Sequence, residues 1–240
     1  VAERGIEVRL GTRVLSAAPG LVHTTSGTWS VGHVINAAGL YADRIAAGFD
    51  LAHPYVMLPF KGLYWYSTQA PTPLQRHVYP VPDPRNPFLG VHATVTADGR
   101  LKIGPTAIPA LWRENYRGVD GFSAREVGQV SRGLIGLATS AHHNFLGLVR
   151  SELPKYSRHV MVSQVRRLIP GLDSASLRIR GKAGIRAQLF DTKAKRLEMD
   201  FVVRGDASST HLLNSVSPAW TSALAVARHT VDGMAQRGAI

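Results

Sequence analysis

The sequence of 240 residues lacks cysteine, long apolar runs and any G-x-G-x-x-G loop. Without cysteine, the chain forms no disulfide, offers no thiolate to a metal and has no thiol nucleophile. No apolar run approaches the roughly 20 residues that cross a bilayer as a helix. Charged residues make up only 18% of the chain and hydrophobic residues 45%, which favours a folded protein with a substantial core over a disordered one.

The formal net charge is +12, and the positive charge is unevenly distributed. Residues 1–50 and 205–240 are each neutral overall, residues 51–149 carry +4 and residues 150–204 carry +8. The Lys and Arg residues are dispersed among apolar positions, without a stacking platform or a groove-reading motif. The charge therefore favours a basic face that serves solubility, an anionic substrate or an anionic membrane surface, and no nucleic-acid partner is expected.

Strands and helices are interleaved in the predicted secondary structure. Short strands are predicted at 7–15, 21–25, 28–31, 34–38, 89–96, 100–104, 198–204 and 212–214, and longer ones at 56–67 and 176–188. Helices are predicted at 41–47, 123–137, 144–156, 159–168 and 218–237. This order predicts a mixed α/β (α+β) architecture.

The junction at 34–46 is the most informative stretch. An apolar strand runs into Asn36 and the small residues at 37–39, and an amphipathic helix follows. A flat ring or a diphosphate can approach bare backbone at such a turn, although small residues also serve simply to pack a helix on a sheet. A helix end, a Gly stop and a strand start within residues 1–8 further predict a C-terminal fragment of a larger nucleotide-cofactor enzyme. Its expected location is the cytoplasm, with peripheral contact to the inner membrane as an alternative.

Four groups of motifs occur in a fixed order along the chain. They are NAAGL at 36–40 with Asp43, VYPVPDP at 78–84 with FLGVH at 88–92, GIRAQ at 184–188, and DFVV at 200–203 with LN at 213–214 and SPA at 217–219. Together they resemble the L-2-hydroxyglutarate oxidase/dehydrogenase family of the FAD-dependent, D-amino-acid-oxidase-like superfamily. The resemblance implies part of an FAD-binding Rossmann-like domain at 1–48 and 181–240. It also implies a substrate domain at 49–180, with a mixed or antiparallel sheet and covering helices.

The same resemblance implies that FAD contacts small residues and a helix N-terminus of this chain. The implied cofactor-binding residues are Asn36, Ala37, Ala38, Gly39, Gly184, Ile185, Asn214, Ser217, Pro218 and Ala219. Ser217 as N-cap and Pro218 as the first helical residue form a well-capped helix start. Its free N–H groups suit the negative charge of a reduced flavin. The family often has Pro at the position of Val216 and a small residue at that of Trp220, so this loop departs from the pattern.

Four side chains are predicted to bind the substrate or to accept its proton. Arg186 lies among apolar residues of a strand and binds either a substrate carboxylate, through a bidentate fork, or a structural partner such as Asp191. His92 is suited to accept a hydroxyl proton, although a lone strand histidine is often structural. Lys61 with Tyr64 is predicted to hold a distal carboxylate, the alternative being an amphipathic strand with a snorkelling lysine.

The expected function is oxidation of a 2-hydroxy acid, L-2-hydroxyglutarate, to 2-oxoglutarate by hydride transfer to flavin N5. The expected partners are a small dicarboxylate substrate and an electron acceptor, oxygen or a quinone chain, that the sequence leaves open. No metal is expected. Two alternatives remain open: a related FAD-dependent amine or amino-acid oxidase, and a non-catalytic anion- or nucleic-acid-binding module.

The absence of a phosphate loop gives a first testable prediction. The loop's glycines normally bring the cofactor pyrophosphate to a helix N-terminus, so the 240-residue chain expressed alone is expected not to retain one FAD per molecule. The absorbance of the purified chain, compared with its protein concentration, measures this ratio. One tightly bound FAD per chain would refute the prediction.

Overall fold

The computed structural model describes residues 5–81, 88, 90–140, 145–216 and 220–239. The chain divides into two units, one formed by Val1–Tyr55 with Asp200–Ile240 and the other by Val56–Met199. The domain boundaries expected from the sequence, after residues 48 and 180, remain a prediction. The mixed α/β architecture predicted from the sequence is confirmed.

The first unit contains two three-stranded sheets and two α-helices among its described residues. Its elements are β1 (Val14–Ala18), β2 (Leu21–Thr24), β3 (Gly27–Ser30), β4 (Val34–Asn36), α1 (Ala42–Ala47), β13 (Val202–Gly205), β14 (Ser209–Asn214) and α5 (Ala223–Gln236). β1, β2 and β3 form an antiparallel meander. In the other sheet β14 is central, antiparallel to β13 and parallel to β4.

The meander is shorter at its start than the sequence predicts. Residues 6–9 carry no regular structure, and β1 begins only at Val14. A turn at Leu10 and Gly11, where Gly11 has a φ of 66°, interrupts the extended run. The turns that join β1 to β2 and β2 to β3 place Gly20 and Gly27 at positive φ, where glycine costs no steric strain.

The second unit contains two four-stranded sheets and three α-helices among its described residues. Its elements are β5 (Tyr55–Gly62), β6 (Trp65–Tyr66), β7 (His92–Val95), β8 (Leu101–Gly104), β9 (Ile108–Pro109), α2 (Ala124–Ala138), α3 (Phe145–Glu152), α4 (Arg158–Leu168), β10 (Ile179–Arg180), β11 (Gly184–Asp191) and β12 (Arg196–Leu197). The sheet orders are β10-β6-β8-β7 and β12-β11-β5-β9. The long strands predicted at 56–67 and 176–188 are therefore each divided into two strands.

Each sheet of the second unit is covered by a helix. On the β12-β11-β5-β9 sheet, Leu58 and Phe190 pack with Val130 and Leu137 of α2. Helix α2 lies close because a Cβ on Gly133 would come 2.7 Å from Leu58 Cδ2. The other sheet packs against α4, and the shared cluster comprises Val91, Ala93, Leu101, Ile103, Met161, Val162, Val165 and Leu177. The covering helices expected for the substrate domain are thus present in this unit.

Candidate functional site

The strand-to-helix junction of the first unit is held by the side chain of Asn36. Asn36 is only 3% exposed at the end of β4, and its Nδ2 donates to the carbonyl oxygen of Ala42 at 2.8 Å. Its Oδ1 accepts a hydrogen bond from the backbone N–H of Ala38 at 3.1 Å. One amide therefore ties the strand end to the turn and to the start of α1.

His211 supports this amide from the neighbouring strand β14. Its Nδ1 lies 2.9 Å from Asn36 Nδ2, and because the amide N–H donates, Nδ1 accepts and the ring proton is assigned to Nε2. Nε2 is buried and has no hydrogen-bond partner among the described residues. The ring packs against Phe49 with centroids 5.0 Å apart. Burial lowers the pKa of His211, an effect that Asp206 opposes and His33 reinforces.

Acidification is expected to destabilise the protein through His211. Because its pKa is lower when folded than the ordinary value of 6.5, the unfolded chain binds the proton more readily. The stabilisation is complete above pH ~6.5 and is lost as the pH falls below it. The Tm measured by circular dichroism should fall on acidification, and it should fall less for His211→Gln. The exposed His229 gives the control His229→Gln, and an unchanged pH dependence in His211→Gln would assign the effect to another group.

The turn at 36–39 suits a cofactor that is bound through the backbone. Ala37, Ala38 and Gly39 are exposed, and no atom lies within 4 Å of the position of a Cβ on Gly39, whose φ is 54°. An isoalloxazine ring or a diphosphate can therefore approach the backbone here without displacing a side chain. The Asn36 amide is engaged internally, so its role is to shape the turn.

The other predicted cofactor residues of the first unit are only partly among the described residues. Asn214 is 2% exposed, and its Nδ2 donates to the carbonyl oxygen of Asp200 at 2.6 Å. Its side chain thus fastens β14 to the segment before β13. Ser217, Pro218 and Ala219 lie outside the described residues, and helix α5 is described from Ala223.

A cavity of about 390 Å³ in the second unit contains Lys61 and is rich in cationic side chains. We call it the cationic cavity, and its lining residues are Lys61, Leu63, Tyr116, Arg117, Gly118, Arg180, Gly181, Lys182 and Ala183. Lys61 is 7% exposed, and its Nζ donates to Asn115 Oδ1 at 2.6 Å. Burial and the nearby Arg180 lower the pKa of Lys61, and Asp120 opposes them. The lining therefore concentrates positive charge around a lysine held in a fixed position.

Tyr64 lies beside the cationic cavity, next to segments that line it. Its carbonyl oxygen accepts from the N–H of Gly181 at 2.9 Å, and a Cβ on Gly181 would lie 3.1 Å from Tyr64 Cβ. Lys102 Nζ lies 5.1 Å from the centre of the phenol ring. Burial, together with Tyr66, raises the pKa of Tyr64, so its hydroxyl remains a hydrogen-bond donor at neutral pH.

His92 begins β7 in the tautomer that a base requires. Its Nδ1 lies 3.1 Å from the carbonyl oxygen of Gly90, which assigns the proton to Nδ1 and leaves a lone pair on Nε2. Burial lowers the pKa of His92; the hydrogen bond to Gly90 opposes this, and Lys102 and His77 add to it. The ring stacks on Tyr79 with centroids 4.5 Å apart. The imidazole is therefore half-buried, oriented and neutral at physiological pH.

Arg186 lies on β11 two residues after Gly184 and is more exposed than its apolar sequence neighbours suggest. Its guanidinium carbon lies 5.1 Å from the centre of the Phe88 ring. Crowding by neighbouring atoms nevertheless lowers its pKa through desolvation. Asp191, the structural partner considered above, accepts hydrogen bonds through Oδ1 from the backbone of a turn, at Lys193 and Ala194.

The predicted substrate residues all lie in the second unit, in three different settings. Lys61 lines the cationic cavity, His92 lies on the β10-β6-β8-β7 sheet, and Arg186 is on β11. Three cationic residues that line the same cavity as Lys61 were not predicted from the sequence: Arg117, Arg180 and Lys182. Arg180 and Lys182 fall in residues 150–204, the segment with the highest positive charge. This excess of charge was the sequence signal that could have identified them.

Neither a metal-binding cluster nor a membrane-spanning helix is found in the described parts of the chain. No group of three or more His, Asp or Glu side chains there is arranged to hold a metal ion. None of the helices described is both long and apolar enough to cross a membrane.

The chain belongs to the DAO family of FAD-dependent oxidoreductases, whose model matches residues 1–233. It is 34% identical to L-2-hydroxyglutarate dehydrogenase of Indibacter alkaliphilus, over 92% of this chain and 56% of the relative. It is 36% identical to the human mitochondrial L-2-hydroxyglutarate dehydrogenase, over 85% of this chain and 45% of the relative. It is 32% identical to L-2-hydroxyglutarate dehydrogenase of Escherichia coli K12, over 86% of this chain and 48% of the relative. The resemblance drawn from the motifs is confirmed, and the chain spans about half the length of the curated relatives it matches.

Two solved structures share the fold at low sequence identity. L-α-glycerophosphate oxidase from Mycoplasma pneumoniae, with FAD bound, matches with a TM-score of 0.62 and 22% identity, over 92% of this chain and 49% of that one. Glycerol-3-phosphate dehydrogenase from Bacillus halodurans, complexed with FAD, matches with a TM-score of 0.51 and 15% identity, over 93% of this chain and 38% of that one. At these identities the comparison supports the fold and not the substrate.

Proposed function

We propose that this chain belongs to an enzyme that oxidises L-2-hydroxyglutarate to 2-oxoglutarate with FAD. The observation that carries the proposal is the 32–36% identity, over most of this chain, to relatives named L-2-hydroxyglutarate dehydrogenase. The cationic cavity supports it because a diacid needs a second cationic anchor besides the one at the reacting carbon.

The proposed cofactor contacts of the first unit are the backbone of Asn36 to Gly39 and the residue Asn214, together with Ser217, Pro218 and Ala219, which lie outside the described residues. In the second unit they are Gly184 and Ile185 at the start of β11. The exposed small residues of the 36–39 turn fit this role, and Asn36, braced by His211, fixes the shape of the turn. When bound, FAD supplies the hydride acceptor, and oxygen or a quinone is proposed to reoxidise it.

Each substrate residue has a proposed role that follows from its chemistry. Arg186 binds the carboxylate beside the reacting carbon in a bidentate fork. Lys61, with Tyr64 donating a hydrogen bond, binds the distal carboxylate. His92 Nε2 accepts the proton of the substrate hydroxyl while a hydride leaves the carbon that bears this hydroxyl, so the alcohol loses two protons and two electrons and becomes a ketone.

The substrate preference tests the proposal. The flavin-loaded, full-length protein should prefer L-2-hydroxyglutarate over L-lactate by at least about tenfold in kcat/KM, because a desolvated charged anchor contributes more than about 1.4 kcal/mol. Lys61→Met should remove much of this preference and leave lactate turnover nearly unchanged. The control is Lys193→Met at an exposed turn, with flavin content and Tm measured for every variant.

The alternatives predict different results in the same assay. If amino acids or N-methyl amines are oxidised faster than either hydroxy acid, the family assignment stands but the proposed substrate is wrong. A protein that purifies without flavin absorbance and binds anions without turnover would support the non-catalytic alternative.

A further inference from the structure

We propose that the cationic cavity is the subsite for the distal carboxylate of a 2-hydroxy dicarboxylate, and that Arg180 and Lys182 at its mouth determine specificity. The inference rests on the proposed function and adds two residues to the substrate machinery. It also assigns the cavity to dianions as a class, because a monocarboxylate bound at Arg186 leaves it without an anionic occupant.

The charge of the lining favours an anion as the occupant. Four of the nine lining residues are Lys or Arg, and none is Asp or Glu. Besides burial, the nearby Arg180 lowers the pKa of Lys61, and Asp120 offsets part of this effect, so the cationic side chains of the lining repel one another. An anionic group between these side chains relieves that repulsion. A volume of about 390 Å³ lies within the range of small-molecule sites, roughly 300–1,000 Å³.

The cavity has a buried base and an exposed mouth. Lys61 is 7% exposed and held by Asn115, whereas Arg117, Arg180 and Lys182 are exposed. Arg180 is positioned by β10, whose two residues pair with Trp65 and Tyr66 of β6. An entering carboxylate therefore meets exposed cations first and a buried, hydrogen-bonded one at the base, an arrangement that attracts and then orients an anion.

The chain connects this subsite directly to the predicted carboxylate anchor. Residues 181–183 line the cavity and lead into β11, which carries Arg186. Four residue steps separate Lys182 from Arg186, so their Cα atoms are at most about 14 Å apart. Long cationic side chains can converge across this distance on the two carboxylates of one short diacid. The exposed position of Lys182 explains why no apolar pattern identified it in the sequence.

The test is the double variant Arg180→Met/Lys182→Met in the flavin-loaded, full-length protein, with Lys61 intact. We expect KM for L-2-hydroxyglutarate and the inhibition constant of glutarate to rise at least about tenfold, with kcat within about twofold. Parameters for L-lactate should be unchanged. The preference for the diacid should also fall with ionic strength in the wild type and less steeply in the double variant, because the mouth is exposed to screening.

The matched control is Arg178→Met/Lys193→Met, which removes two exposed cations that do not line the cavity. An equal loss with L-lactate, an equal loss in the control, or an unchanged KM and inhibition constant would overturn the inference. If the wild type oxidises no 2-hydroxy acid, the proposed function fails. Calorimetric titration with glutarate then tests the cavity alone, and tight binding lost only in Arg180→Met/Lys182→Met would support an anion site.

Discussion

Replacing Arg186 with lysine is expected to lower kcat/KM for L-2-hydroxyglutarate by roughly 30- to 900-fold, corresponding to about 2–4 kcal/mol. Lysine keeps the positive charge but loses the planar fork that binds a carboxylate through two parallel hydrogen bonds. It also loses the flat face that packs over Phe88. Steady-state kinetics of the flavin-loaded protein measure the effect, and the flavin content should be unchanged.

The control for this substitution is Arg167→Lys, at an exposed position in the last turn of α4. This variant also removes a guanidinium fork, but at a position where no substrate is expected to bind. Its kcat/KM should therefore stay at the wild-type value. An unaltered kcat/KM in Arg186→Lys would assign Arg186 to structure.

The elements that the sequence predicted well have strong local signals. Helix α2 begins after Ser123, whose side chain accepts a hydrogen bond from the N–H of Glu126, and such a cap is visible in the sequence. The hairpin of β7 and β8 turns at Asp98 and Gly99, a pair that suits a tight turn. In both cases the deciding interactions lie within a few residues of one another along the chain.

The long strands were predicted less well because their ends depend on distant contacts. β5 ends at Gly62, where a Cβ would lie 2.9 Å from Pro105 Cβ, and β6 then joins a different sheet from β5. The change of sheet after Gly62 therefore depends on a contact with Pro105, more than 40 positions away along the chain. A continuous apolar-rich pattern does not record such a change.

The candidate site was predictable where a motif marked it and not where the fold assembled it. Asn36 was identified from the NAAG motif, but its support by His211 joins residues 175 positions apart. Lys61 was identified from its strand, whereas Arg117 and Arg180 reach the same cavity from separate segments. Pairing of distant positions is the information that one sequence lacks.

Replacing His92 with glutamine is expected to slow oxidation of L-2-hydroxyglutarate by about 10²- to 10⁴-fold, the usual contribution of a general base. Glutamine has a similar size and can donate to the Gly90 carbonyl oxygen that now accepts from Nδ1, but it cannot take the hydroxyl proton. Stopped-flow measurement of flavin bleaching isolates this step from reoxidation. The rate should fall in His92→Gln and stay near the wild-type value in His159→Gln, an exposed position on α4.

The pH dependence separates a base from a merely structural histidine. Because burial holds the pKa of His92 below its ordinary value of 6.5, Nε2 stays unprotonated at neutral pH and the wild-type rate should decline only on acidification below about 6.5. His92→Gln has no group to protonate there, so its small residual rate should lose this acidic limb. If His92→Gln keeps both this acidic limb and most of the rate, another group accepts the hydroxyl proton. His92 is then a structural residue that packs against Tyr79.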